Sequence, residues 1–577
     1  MKNIFEGKLF NKKEKEYPYP WYKQYEIDGV PAKLEYPNYS IFSFMEASAL
    51  KHQKKVAYDF FGYLTTYGEL LDEIHECAKA LKALGVEEGD YVTISMPNTP
   101  EAIIMFYAVN MVGAISNMIH PLAAPGEIKH ALSLVPSKFA LIIDFNFETF
   151  NKIKKDVKLE KIITCSPSVS MPLLVTFGYW LTAGRKVPPI PQSDDVYDWY
   201  DFISLSKNFE ESYICPRKGD DTAVILYSGG TTGTSKGIEL TNLNFNAIAM
   251  QSNQMIDTTP GDSILGILPL FHCFGLAVCT HFVLSIGVKT VLIPKFTPET
   301  FGDLIKKKKP TFIVGVPALF EAMINNPKLK NADLSFVKVM VSGGDSLSAE
   351  LKNRVDKFLH DRGSKAVITE GYGLTESCGP VTFSPRSNHI PGTIGIPFPD
   401  TIIKIVEVNT TKEVPLGLEG EICISGLTLM KGYLNETEET KNTLRVHEDG
   451  KLWLHTGDLG RMDENGRIKF ILRLKRIIVT NGYNVYPNAI ESVLNSHKSV
   501  ANSTVVGLPC QKRGQKVKAF IVLKKGVKAS EEVKTSIKKL CESEIAKYSL
   551  PREYEFKTAL PRTLVGKVAF RELEKED

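Results

Sequence analysis

From Tyr67 apolar residues recur every three or four positions, at Leu70, Ile74, Cys77, Leu81 and Leu84. Thr66 and Glu69 form a capping-box pair before this run and Gly85 follows it, so the spacing predicts a helix. The pattern then shortens to YVTISM from Tyr91, a strand, and passes through Pro97-Asn98 to Thr99, read as an N-cap with Pro100 at the first helical position. Short β-rich runs return at 311–316 (TFIVGV), 337–341 (VKVMV) and 366–369 (AVIT), separated by helical stretches such as 348–359. Alternation of this kind predicts an α/β fold: mainly parallel sheets with helices on both faces.

After about Asp400 the texture changes to strands and turns (TIIKIVEV, GEICISG, GRIKFILRL), which predicts a smaller β-rich subdomain. Beyond 473–476 comes a tail of about a hundred residues with its own apolar runs, including AFIVL at 519–523 and a basic helix near 531–547, long enough for a separate α+β domain. The segment 169–192 is apolar and aromatic, ends in Arg185-Lys186 and a proline run, and interrupts the alternation as an insertion. Its residues 171–183, with Phe177, Tyr179 and Trp180, are open between packing on the protein body and touching a membrane surface near an acyl entrance. Two stretches, 102–126 and 264–288, contain no Asp, Glu, Lys or Arg. Both are punctuated by polar residues or proline, among them Asn110, His120, Pro269 and His281, so buried helix and strand is expected in preference to a membrane span.

The 577 residues are enough for several domains, and 70 Lys+Arg against 66 Asp+Glu leave only +4, too little to predict nucleic-acid binding. Nine cysteines are scattered without a CxxC pair, which argues against a zinc ribbon, a redox motif or a disulfide framework and for reduced, mostly buried thiols. The first residues are charged and aromatic with no signal-peptide core, so a cytoplasmic protein is expected, with a peripheral contact at the inner face of the membrane left open.

The strongest chemical signal is YSGGTTGTSKG from Tyr227, after the apolar strand AVIL. Its four glycines, Gly233 among them, allow backbone N–H groups to approach a phosphate chain. Ser228, Thr231, Thr232 and Thr234 add hydroxyl donors and Lys236 a positive charge. It is not a Walker A loop, because Lys236 follows Ser235 and no GxxxxGK spacing occurs.

Eight motifs in order resemble those of the adenylate-forming family of acyl-CoA synthetases, luciferases and peptide-synthetase adenylation domains. They are YSGGTTGTSKG at 227, LPLFHCFGL at 268, VSGGDSL at 341, GYGLTES at 371, GEICISG with MKGYLNETEET at 420–440, TGDLG at 456, RLKRIIVTNGYNVYPNAIE at 473 and PRTLVGKVAFREL at 561. The resemblance implies that a carboxylic acid attacks the α-phosphate of ATP to give an acyl-adenylate and pyrophosphate, after which a thiol, usually of coenzyme A, displaces AMP. It implies a large N-terminal domain (1–472), a hinge (473–476) and a small mobile lid (477–577). Thr231, Thr232 and Lys236 would hold the pyrophosphate portion and Thr375 the α-phosphate, while Glu376 would coordinate Mg²⁺. Tyr372 would stack on adenine beside Gly343 and Gly344. Asp458 would accept hydrogen bonds from the ribose hydroxyls with help from Arg473. Lys567 would bridge carboxylate and α-phosphate, Lys475 would be the pivot, and Gly482 would line the path of the thiol. His272, on its own a satisfied core histidine, would sit at the acyl end of the pocket.

Departures from the usual pattern narrow the reading. Gly229 and Ser235 stand where Ser and Pro are usual, which resembles bacterial long-chain fatty acid ligases and favours a medium- or long-chain fatty acid. Arg476 replaces an acid beside the hinge and Ala489 a glutamate. An aryl or bile-type acid–CoA ligase, a ligase loading a carrier protein, and a catalytically inactive adenylate-binding protein stay open as alternatives. Oligomeric state is open too.

Overall fold

The computed structural model describes residues 17–191, 193–227, 235–259, 261–481, 483–510, 513–563 and 568–575. Among these residues two large sheets dominate, one of nine strands and one of eight. The first has parallel neighbours at its centre, where Phe312–Gly315 lies between Ser263–Gly266 and Val339–Ser342, and Ile368–Leu374 follows. The second is parallel from Thr222–Tyr227 through Ile115–Met118, Tyr91–Ser95 and Phe139–Ile143 to Lys161–Cys165. Strands covered on both faces read as the unbroken apolar runs seen in the sequence.

The helix Tyr67–Ala83 begins with the expected capping box, Thr66 accepting from the Glu69 amide and Glu69 from the Thr66 amide. The helix Pro100–Met111 begins where expected and is buried along its whole length, but Thr99 has cap geometry without a side-chain cap hydrogen bond. Its hydroxyl is turned into a fully buried site and leaves the helix start to Pro100. The uncharged stretch 264–288 becomes a buried strand, a π-helix over Phe274–Phe282 and one further helical turn. No described helix is long and apolar enough to cross a membrane.

A five-stranded β-rich sheet follows, built around Gly420–Ser425 and Leu452–Met462. The last sheet, Ile478–Thr480 to Glu553–Lys557, packs on Pro487–Ser496 and Glu531–Glu544 and holds its own apolar core, with Ile490, Leu494, Val505, Ala519 and Ile537 at its centre. This is the α+β unit expected after residue 476. All nine cysteines are free and seven are buried. The insertion leaves the eight-stranded sheet between Lys161–Cys165 and Val196–Asp198 as a helix, Leu173–Thr182, none of whose residues is buried.

Candidate active site

The site forms where the carboxyl end of the nine-stranded sheet meets the β-rich sheet. Strands Leu452–Met462 and Ile468–Arg473 make a hairpin whose register sets Asp458 opposite Arg473. Nε of Arg473 lies 3.1 Å from Oδ1 of Asp458. From the other sheet, Tyr372 donates its phenolic hydrogen to Oδ2 of Asp458 across 2.7 Å. Asp458 is 1% exposed, so its charge is balanced by these two groups in a low-dielectric setting. Burial, and then the Asp458 charge, pushes the Tyr372 phenol well above its usual pKa. The same carboxylate raises Arg473, and Glu376 adds to that field.

Strand Ile368–Leu374 runs on into a single turn, Thr375–Ser377, closed by Cys378 at φ 55°. There Glu376 accepts a hydrogen bond from Tyr433 Oη at 3.0 Å. Tyr433 belongs to a two-residue strand paired with Gly237–Thr241, directly after the glycine-rich loop. Lys236 lies over the Tyr433 ring at 5.0 Å and pairs with Glu439. Lys236, Tyr433 and Glu376 thus form one linked polar group and Arg473, Asp458 and Tyr372 another, and the Glu376 charge acts on Arg473, so that the two together make a polar ridge. Ser235 holds the loop's end by accepting from His130 Nε2 at 3.0 Å.

His272 accepts at Nδ1 from the Phe274 amide at 3.2 Å and opens the π-helix. Phe274 reaches the Gly343 backbone so closely that a Cβ on Gly343 would lie 2.9 Å from its ring and push that ring aside. Gly344 has φ +76°. The structure thus brings His272 and Gly343 to one neighbourhood beside the strand that carries Tyr372. Lys475 lies in the turn Leu474–Arg476. Arg476 is engaged within the C-terminal unit, at 2.6 Å from Glu491, 3.0 Å from Asn488 and 5.0 Å from the Phe570 ring. Ser228, Thr231, Thr232, Gly233, Thr234, Gly482 and Lys567 lie outside the described residues.

Sequence reasoning assigned no role to Tyr433 or Glu439, although both lie in the MKGYLNETEET motif. Their acid and phenol residue types gave no signal until Gly432–Tyr433 paired with the strand after the glycine-rich loop. Glu421, inside the GEICISG motif, and His455, directly before TGDLG, were missed in the same way.

The site can bind anions through Lys236 and Arg473, accept hydrogen bonds through Asp458, and offer hard carboxylate oxygen through Glu376. Residues 45–434 match the family described as AMP-binding enzyme, and residues 489–567 match the AMP-binding enzyme C-terminal domain. A long-chain-fatty-acid–CoA ligase of Bacillus subtilis is 35% identical, covering 97% of this chain and 98% of its own. One from Yersinia pestis is 32% identical over 96% and 98%. The crystal structure of ATP-bound MatB from Rhodopseudomonas palustris superposes with a TM-score of 0.80 at 25% identity, covering 93% of this chain and 98% of that one. With both family matches in chain order and the polar ridge where their motifs converge, this chain belongs to the AMP-binding enzymes.

Proposed function

We propose that this chain is an ATP-dependent fatty acid–CoA ligase acting on medium- or long-chain acids. The observation that carries the reading is the polar ridge of Lys236, Glu376, Arg473 and Asp458, which supplies two cations, a carboxylate that would accept from ribose hydroxyls and a second carboxylate that would face the phosphates. A carboxylate is a poor electrophile, so its oxygen first attacks the α-phosphorus, the bond to pyrophosphate breaks, and an acyl-adenylate forms. The thiol sulfur of coenzyme A then attacks the acyl carbon, the bond to AMP breaks, and the thiol proton is lost to solvent. Lys236 would neutralise the pyrophosphate with Thr231 and Thr232, Thr375 would contact the α-phosphate, Asp458 and Arg473 would hold the ribose, and Tyr372 would face the base. Glu376 is a hard oxygen donor at a phosphate-binding position and fits Mg²⁺, which would spread the charge of the polyphosphate. Lys567 would stabilise the first transition state and Gly482 would leave the thiol path open in the second.

Arg473 is tied to Asp458 of the large unit and Arg476 to Glu491 of the small one. This supports a pivot at Lys475, with domains bounded at 472 and 477. Acid-dependent pyrophosphate release, measured with and without coenzyme A over fatty acids of graded length and aromatic acids, tests the proposal. Thioester from fatty acids is expected. Preference for an aromatic acid, or acyl-adenylate that coenzyme A does not discharge, would overturn it.

The helix Leu173–Thr182 supports a peripheral membrane contact. Leu173 and Leu174 are 89% and 88% exposed, and Phe177 and Trp180 add aromatic area on the same side. The Arg185 guanidinium lies 4.6 Å from the Trp180 ring centroid, giving the basic and aromatic mix of an interfacial segment.

A further inference from the structure

Directly before Asp458 the β-rich sheet departs from regular pairing. Strand Gly420–Ser425 pairs with Leu452–Met462 so that Cys423 faces His455 and Glu421 faces Leu459. One residue, Ile422, thus spans the same length as Thr456, Gly457 and Asp458. The longer strand carries a bulge of two extra residues, and the ladder cannot serve their backbone groups. Side chains serve them instead. Thr456 Oγ1 donates to the Ile422 carbonyl at 2.7 Å and accepts from the Asp458 amide at 3.1 Å. The Glu421 carboxylate accepts the Gly457 amide through Oε1 and His455 Nδ1 through Oε2, both at 2.9 Å.

Glu421, His447 and His455 are all buried. Burial alone would raise the Glu421 carboxyl, but the bonds from His455 and Gly457 outweigh it and hold the group below its usual range. An ionised Glu421 assigns the His455 proton to Nδ1, and Nε2 then accepts from His447 Nε2 at 2.9 Å. Cys423, His447 and His455 each offer a ligand atom within 4.8 Å of the others, but both nitrogens of His455 are already engaged, Nδ1 by Glu421 and Nε2 by His447.

We propose that Glu421 and His455 are positioning residues for nucleotide binding: together they clamp the bulge, so that Asp458 leaves the sheet facing Tyr372 and Arg473. The proposal rests on the reading of Asp458 as the acid that holds ribose. Its test is the KM for ATP and for fatty acid in pyrophosphate release, measured with the melting temperature, in Glu421→Ala, His455→Ala, His455→Asn and Asp458→Ala. Glu421→Ala and His455→Ala should raise the KM for ATP about tenfold, as loss of one charge-assisted contact does, with the KM for fatty acid unchanged. His455→Asn, whose amide can still donate to Glu421, should recover part of that loss. Glu421→Ala should add nothing to the KM for ATP once Asp458 is alanine.

An unchanged KM for ATP in folded Glu421→Ala, beside a raised one in Asp458→Ala, would overturn the positioning role and leave the ribose reading standing. An unchanged KM in Asp458→Ala would overturn the ribose reading itself. A parallel rise in both KM values would reduce the array to general packing and overturn the proposal. Should Glu421→Ala fail to fold, Glu421→Gln carries the test, since its amide offers one acceptor where the carboxylate offers two and so sets a donor against either the Gly457 amide or His455. The same ATP-specific rise is expected, and an unchanged KM there overturns the proposal.

Discussion

Tyr372 and Asp458, 86 residues apart, share a 2.7 Å hydrogen bond that joins the nine-stranded sheet to the β-rich sheet. The phenol therefore has two separable parts, a hydroxyl spent on the acid and a ring tilted against Phe470 at 6.1 Å. If the ring stacks on adenine, Tyr372→Phe should keep the stacking and lose about tenfold in ATP affinity at most, the effect of one charge-assisted contact to Asp458. Tyr372→Ala should lose in addition the roughly 1–3 kcal/mol typical of base stacking. Isothermal calorimetry with ATP decides between ring and hydroxyl, and equal losses in both variants would remove the stacking role.

Asp458→Ala removes a charged acceptor and should weaken ATP binding by about 1.5–3 kcal/mol, with acyl-adenylate formation falling in step. Unchanged affinity by calorimetry would sink the assignment.

Each half-reaction should be separable by mutation. Lys567→Ala should suppress acyl-adenylate formation severely while supplied acyl-adenylate is still converted to thioester. Gly482→Trp should sustain the first step and block the second. Single-turnover assays of each step check this, and equal loss of both steps in both variants would exclude alternation of the small unit.

The exposed helix offers a direct membrane test. Replacing Leu174 and Phe177 with aspartate should abolish co-sedimentation with anionic liposomes while activity on dispersed fatty acid persists. Unaltered co-sedimentation would assign the helix no part in membrane contact.

Glu73 provides a pH prediction away from the site. Burial raises its carboxyl to about 7, with Tyr58 Oη 3.1 Å away. A folded pKa above the unfolded one means the unfolded chain releases this proton first. The group therefore costs nothing below the unfolded pKa near 4.5, destabilises increasingly as pH rises toward 7, and has its full effect above. Glu73→Gln should raise the melting temperature at pH 8, by the equivalent of up to about 3 kcal/mol, and leave it unchanged near pH 4. Equal melting temperatures at pH 8 would contradict the shift.

Much of the fold was legible because buried parallel strands and capped helices carry local signals. The runs at 311–316 and 337–341 and the Thr66–Glu69 box correspond to observed elements. The π-helix over Phe274–Phe282 had no such signal, since its widened turns come from packing and not from any apolar period. At the site, glycine-rich and acidic motifs could be found one by one. That Tyr433 links Lys236 to Glu376, or that Glu421 reaches across to Gly457, depends on how separate strands meet, and no single stretch of sequence encodes it.

The excess in the strand Leu452–Met462 is two residues, an even number. Side chains alternate faces along a strand, so an even insertion preserves parity: Trp453 and Leu454 before it and Leu459 after it keep the faces that an uninterrupted strand would give them. Loss of one residue between Thr456 and Asp458 would invert one flank of the strand and turn buried side chains to solvent. Loss of Thr456 and Gly457 would restore a regular ladder and remove the bulge that sets Asp458 beside Tyr372 and Arg473. The length of this segment is thus constrained twice, by the burial of its flanks against odd changes and by the placement of Asp458 against even ones.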